Sequence, residues 1–206
     1  LAIVIDEAIN DEFLSKLLSL YKPNYIFAEN FDPKHKQYKQ VNKIGNFFFY
    51  KSKVNYQFKI NKKLAVLLTT SGSTGTSKLV KLTYENIFEN TKSIKKFLNI
   101  NSKDVGITNM PMSYTYGLSV INTHVFSGAK LIVNNHSIIN RFFWQMVNKY
   151  KVTNLNFVPF FCLILKKLKF DNFNLRSLRL ITSAGGRLEK SVWTYLTEVC
   201  NKKKIV

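Results

Sequence analysis

Apolar and polar positions alternate along this chain with two periods, and each period predicts elements. Residues 11–21 place Phe13, Leu14, Leu17, Leu18 and Tyr21 on one helical face. Residues 24–28 predict a short strand. Further on, Val54, Tyr56, Phe58 and Ile60 alternate as in a half-buried strand, paired with 47–50. From residue 64 the pattern becomes regular. Strands are predicted at 64–69, 105–109, 130–133, 152–158 and 178–182, and helices at 83–98, 117–126, 138–149, 159–168 and 188–199. Thr83 is placed to cap its helix, with Ile87, Thr91, Ile94 and Leu98 as the inner stripe. In helix 138–149 the inner residues are Phe143, Met146, Val147 and Tyr150, and Pro159 opens the next helix as a first-turn proline. Strands alternating with helices of this length predict an α/β fold, a mostly parallel sheet with helices on both faces.

Length and charge change this picture little. A chain of 206 residues can bury a sizeable core, and 46% hydrophobic with 21% charged residues is ordinary for a globular protein. A division at 1–63 and 64–206, within one structural domain, fits the shift from a basic strand pair to regular α/β alternation. Leu1 in place of Met, and a strand-like Lys204-Ile205-Val206, suggest a fragment of a longer protein. The longest apolar stretch, 157–165, is too short to span a bilayer. The acidic residues Asp6, Glu7, Asp11 and Glu12 rule out a secretory signal in 1–20. Cys162 and Cys200 lack metal-ligand spacing and are read as reduced thiols in a cytoplasmic protein.

The net charge of +19 raises nucleic acid as a partner, because residues 33–84 hold eleven lysines, no carboxylate and six interleaved aromatics at 47–58. Only four of the 31 basic residues are arginines, however, and bidentate recognition of phosphates and bases favours arginine. The Lys, Asn, Ile and Phe bias also runs through the whole chain, which argues against a local binding patch.

The residues that most narrow the chemistry follow the strand at 64–69. Thr70-Ser71-Gly72-Ser73-Thr74-Gly75-Thr76-Ser77-Lys78 offers backbone amides, hydroxyls and one cation, the groups that wrap a polyphosphate. Two residues between the glycines, and Ser77 before Lys78, exclude a Walker A loop. The three histidines, His35, His124 and His136, show no metal-binding or catalytic spacing, and no Gly-x-Ser-x-Gly elbow is present.

The loop resembles Thr-Ser-Gly-[Ser/Thr]-Thr-Gly-x-Pro-Lys-Gly of the adenylate-forming superfamily, the acyl-CoA synthetases, peptide-synthetase adenylation domains and luciferases. It departs at Ser77 and Leu79, neither of which supplies a phosphate-binding side chain. Three more segments are similar in the same order. Residues 110–118 match Leu-Pro-Leu-x-His-x-x-Gly-Leu with Tyr114 at the histidine position. Residues 156–161 carry the Val-Pro turn, and 182–188 the Gly-Gly-x-x-Leu turn.

The resemblance implies an AMP-forming ligase that makes an acyl-adenylate and passes the acyl group to a thiol of CoA or a phosphopantetheine carrier protein. Its cofactors would be ATP and Mg²⁺. It assigns Thr70, Ser71, Gly72, Ser73, Thr74, Gly75 and Lys78 to the phosphates, with Lys78, Thr74 and Tyr114 in catalysis. Tyr114 and Gly117 would lie at the acyl carboxylate, and Ala184, Gly185 and Gly186 beside the adenine and acyl group. The family's Mg²⁺-binding glutamate follows the Gly-Gly turn, beyond Val206, and 105–170 holds no Asp or Glu. No metal ligand is therefore expected in this chain, which alone is expected to be inactive. A truncated, non-catalytic binding module is the other reading open from sequence.

Overall fold

The computed structural model describes residues 2–5, 9–29, 31, 35–69 and 79–206. The phosphate-loop residues 70–78 lie outside them. The chain forms two compact units, Glu7–Lys62, and Leu1–Asp6 with Lys63–Val206.

In the smaller unit, α1 (Asp11–Tyr21) is capped by the Asn10 side chain and buries Leu17 and Leu18. A three-stranded antiparallel sheet has the order β2 (Tyr25–Ala28), β4 (Phe47–Ser52), β3 (Tyr38–Ile44). The alternation at 54–60 does not form the expected strand, and β4 takes β2 and β3 as partners instead. The physical reason is local. The Asn24 side chain accepts from Tyr56 N–H and donates to its carbonyl, so this stretch is held by an amide side chain and has no ladder. Val54, Phe58 and Ile60 are left exposed.

The larger unit contains two sheets. In the first, β5 (Leu64–Thr69) pairs in parallel with β1 (Ala2–Val4) and antiparallel with β6 (Leu79–Thr83), so the two strands flanking 70–78 are neighbours. Helix α2 (Tyr84–Leu98) begins in a full capping box, Thr83 accepting from Asn86 N–H and Asn86 Oδ1 from Thr83 N–H. It packs on β5 and β6 and on α3 (Thr115–Phe126), which in turn lies on β7 (Val105–Ile107) and β8 (Lys130–Ile132).

The second sheet is wholly parallel, in the order β10 (Leu180–Ser183), β9 (Asn154–Phe157), β7, β8. Its period-2 alternation gives it two unlike faces. Val105, Ile107, Leu155, Phe157 and Ile181 join the main core with α4 (Arg141–Lys149), α5 (Pro159–Lys167) and α6 (Lys190–Lys203). Phe143, Leu155, Phe157, Cys162, Leu165 and Phe170 are all fully buried there. Tyr150, expected on the inner face of α4, caps the helix C-terminus and is exposed, because α4 ends one residue earlier.

The opposite face, under α3, is polar. Gly106 lies against the His124 ring, and Asn154 Nδ2 is 3.2 Å from His124 Nε2. His124 Nδ1 lies 2.8 Å from the Val120 carbonyl, to which it donates, so Nε2 is the acceptor for Asn154. Burial lowers the His124 pKa, against the pull of that carbonyl. At the amino-terminal edge of the sheet, Arg179 donates through Nε and Nη2 to both oxygens of buried Asp104, each at 3.0 Å. Burial would raise the Asp104 pKa, but hydrogen bonds from Arg179, Asn101 N–H and Thr153, with the Arg179 charge, hold it below the usual carboxylate range.

Candidate substrate crevice at the carboxyl ends of the parallel strands

The chain leaves β7 toward β8, returns past β7 to β9, and goes on to β10. The gap between β7 and β9 is therefore the topological switch point, where open parallel sheets leave a crevice beyond their carboxyl ends. Three of the sequence motifs lead out of this edge. They are 110–118 after β7, Val158-Pro159 after β9, and 182–188 after β10.

The first is pinned by a turn in which Tyr114 N–H donates to the Pro111 carbonyl, so α3 starts immediately beyond. Gly117 sits in the first turn of α3, over the carbonyls of Pro111 and Met110. A Cβ there would fall on the Pro111 oxygen, so only glycine lets the helix come this close. Gly117 thus shapes the turn that presents Tyr114. The Tyr114 side chain is half-exposed, and its hydroxyl reaches Gly185, 71 residues on. Gly185 has φ +89°, and a Cβ at that position would collide with Tyr114 Oη and lie 3.7 Å from Val158 Cγ1. Gly186 faces Pro159, with 3.4 Å from its ideal Cβ to Pro159 Cγ. Ala184 N–H donates to the Phe157 carbonyl across the β9–β10 pair. The fold therefore brings Tyr114, Ala184, Gly185 and Gly186 to one edge. Thr70, Ser71, Gly72, Ser73, Thr74, Gly75 and Lys78 lie outside the described residues.

Beneath this edge runs a hydrogen-bond chain that the motifs did not single out. Tyr116 Oη lies 2.6 Å from Thr182 Oγ1, and Thr182 donates to Asn156 Oδ1 at 2.8 Å. Thr182 has one proton, so Tyr116 is the donor to it. Burial raises the Tyr116 pKa, which keeps the phenol protonated for that role. Asn109 Nδ2 donates to the Asn156 carbonyl at 2.6 Å, tying the β7 exit to β9. Buried Asn156 keeps its Nδ2 unpartnered among the described residues. The signal for this chain was present in β9, Asn-Leu-Asn-Phe, where polar residues alternate with apolar ones in a strand that is buried throughout.

The phenylalanines near the Val-Pro turn do not line this crevice together. Phe157 and Phe161 pack into the main core and Phe160 is exposed. Cys162 also faces the core, and burial pushes its thiol up, away from the thiolate a nucleophile needs. No group of three His, Cys, Asp or Glu able to hold a metal forms among the described residues.

The AMP-binding enzyme family model matches residues 10–206, nearly the entire chain. The chain belongs to the AMP-binding enzyme family. Among curated members, 4-coumarate--CoA ligase-like 9 of Arabidopsis thaliana is 30% identical over 68% of this chain and 26% of its own. The 2-succinylbenzoate--CoA ligase of Lactococcus lactis is 28% identical over 61% of this chain and 27% of its own. Among solved structures, the O-succinylbenzoate coenzyme A synthetase MenE of Bacillus subtilis, in complex with AMP, is similar at TM-score 0.58. It is 26% identical over 68% of this chain and 28% of its own. VinN in complex with L-aspartate shares the fold at TM-score 0.58 and 23% identity, over 70% of this chain and 36% of its own. The chain thus spans about a quarter of the length of these curated relatives. The α/β fold, with its parallel sheet covered on both faces, is that of the family's amino-terminal domains.

Proposed function

We propose that the protein containing this chain is an ATP-dependent, AMP-forming acid–thiol ligase. Family membership supports the reaction class, and one observation supports the site. Tyr114 and Gly185, from separate motifs, meet at the switch-point edge of the parallel sheet. In the reaction a substrate carboxylate oxygen attacks the α-phosphorus of ATP, forming the acyl–phosphate bond as the bond to pyrophosphate breaks. A thiol of CoA or a carrier protein then takes the acyl group and AMP leaves.

Both reactants of the first step are anions, so positioning and charge compensation carry most of the catalysis. We assign Thr70 to Gly75 and Lys78 to the β- and γ-phosphates, where Lys78 and Thr74 offset charge on the departing pyrophosphate. Tyr114 flanks the acyl carboxylate, and Gly117 sets its approach. Gly185 and Gly186 offer side-chain-free backbone to the adenine and acyl group, with the small Ala184 beside them. Mg²⁺, when bound, would neutralise phosphate charge. We read 64–206 as the AMP-binding subdomain, with 1–63 as an accompanying amino-terminal segment. Free Cys162 and Cys200 fit a reducing cytoplasmic setting.

ATP–pyrophosphate exchange by the full-length protein over a panel of carboxylic acids tests this reading. Exchange dependent on an acid, at least about 100-fold weaker in Lys78→Ala, is expected from losing a charge-stabilising group. The isolated 206-residue chain is expected to show none. Nucleotide binding by the full-length protein without exchange on any acid would instead favour a non-catalytic binding module.

A further inference from the structure

On the side of the parallel sheet away from α3, a groove of 540 Å³ runs along α4 and is closed by the segment that joins α5 to β10. Ile139, Trp144, Leu168 and Phe173 make its apolar floor, and Arg141 and Asn148 stand on its rim. The floor is rigid. Trp144 Nε1–H donates to the Ile138 carbonyl at 2.7 Å, and its ring meets Phe173 edge-on at 4.6 Å and Phe170 at 5.6 Å. An indole fixed in this way presents apolar surface at little entropic cost, as anchors in recognition surfaces do. Ile139, at one end, is 63% exposed.

Charge decides what fits. Residues 141–176 carry seven lysines and arginines and a single carboxylate, Asp171. That carboxylate already accepts from Tyr195 Oη at 2.6 Å. Lys166 is turned to the Ser191 carbonyl of α6. Among the described residues no ion pair engages Arg141, Lys149, Lys167, Lys169 or Arg176. An apolar floor with Arg141 in its lining, between segments that carry an excess of lysine and arginine over carboxylates, calls for an apolar stripe flanked by carboxylates. Arg141 to Asn148 spans about 10 Å of helix, the length of two turns. A second copy of this chain, itself at +19, would be repelled.

We propose that this groove receives an acidic amphipathic helix of a partner protein, seated by apolar residues at i, i+3 or i+4, and i+7. The inference is independent of the ligase reading. It is tested with the full-length protein and a fluorescein-labelled peptide of about 18 residues, long enough to hold a helix. The peptide carries leucine at those positions and glutamate elsewhere.

Saturable binding is expected, weakened at least tenfold by Ile139→Glu and by Arg141→Glu/Lys167→Glu, and weakened further by salt. All three positions are at the surface, so unchanged melting temperatures establish that the variants fold. Equal binding of a sequence-scrambled or glutamine-substituted peptide would overturn the proposal. So would an unchanged affinity in the charge-reversed variant. Binding to phosphatidylserine vesicles that is lost in Ile139→Glu, without peptide binding, would assign the surface to lipid and overturn it as well.

Discussion

The two faces of the four-stranded parallel sheet are built from the same short strands but differ in chemistry. Toward α4, α5 and α6, the residues Ile107, Leu155, Phe157 and Ile181 meet a continuous apolar core. Toward α3, one residue along each strand, stand Asn154, Asn156 and Thr182, bonded to one another or to α3 side chains, and Gly106, packed against the His124 ring. The apolar face gains from burial and dispersion, which are non-directional and tolerant of detail. The polar face gains little net energy but demands fixed partners, and so it fixes where its members sit. That fixing reaches the crevice, because the chain of bonds runs from Asn156 through Thr182 to Tyr116, next to the turns carrying Tyr114 and Gly185. One face supplies stability and the other supplies placement.

Substitutions can break this contrast in order of size. Phe157→Ala, on the apolar face, removes a ring with no exposed surface and should cost about 3–5 kcal/mol in denaturant melts. A loss below about 1 kcal/mol would mean the core does not bear the load assigned to it. Arg179→Ala leaves the buried Asp104 carboxylate without its bidentate partner. About 3 kcal/mol is expected, the low end for breaking a buried pair, because the Arg179 side chain is 37% exposed and partly screened. The same melts would show it.

The third effect depends on pH. Protonating His124 would set its Nε2–H against the Asn154 N–H donor, and burial already disfavours the cation. The unfolded chain takes up that proton near the ordinary imidazole value of about 6.5, and the folded chain only at lower pH. Below about 6.5 the unfolded state thus binds more protons, so stability should fall as pH drops from 7 to 5. The slope should be no steeper than about 1.4 kcal/mol per pH unit, and His124→Gln should flatten it. Smallest of all, Asn156→Leu should cost less than about 1 kcal/mol, since it removes an unpaired buried amide along with the Thr182 bond. A cost near that of Phe157→Ala would erase the distinction between the faces.

The sequence made the α/β order legible where local signals agreed with packing. Thr83 caps α2, and the Ile87, Thr91, Ile94 and Leu98 stripe faces inward, as periodicity predicts. Strand β3 was illegible because Lys39, Gln40, Asn42 and Lys43 give no apolar alternation. It is an edge strand held by backbone pairing to β4. The 54–60 stretch misled for the converse reason, since its alternation is real but the Asn24 side chain takes the Tyr56 backbone. At the crevice the glycines and Tyr114 were readable as motifs. Tyr116 and Thr182 were not, because their roles arise only when three segments meet, and the polar alternation of β9 was the one signal for Asn156.

The most direct test of the division between placement and stability compares two variants of the full-length protein, in ATP–pyrophosphate exchange and thermal melting together. Gly185→Ala should cut acid-dependent exchange by about 100-fold, the scale of a displaced reacting group, while the melting temperature falls by only a few degrees. Leu155→Val, on the apolar face, should lower the melting temperature and leave exchange, measured below that temperature, within about twofold of the parent, as a volume change away from the crevice should. Exchange that survives Gly185→Ala but collapses in Leu155→Val would contradict the account.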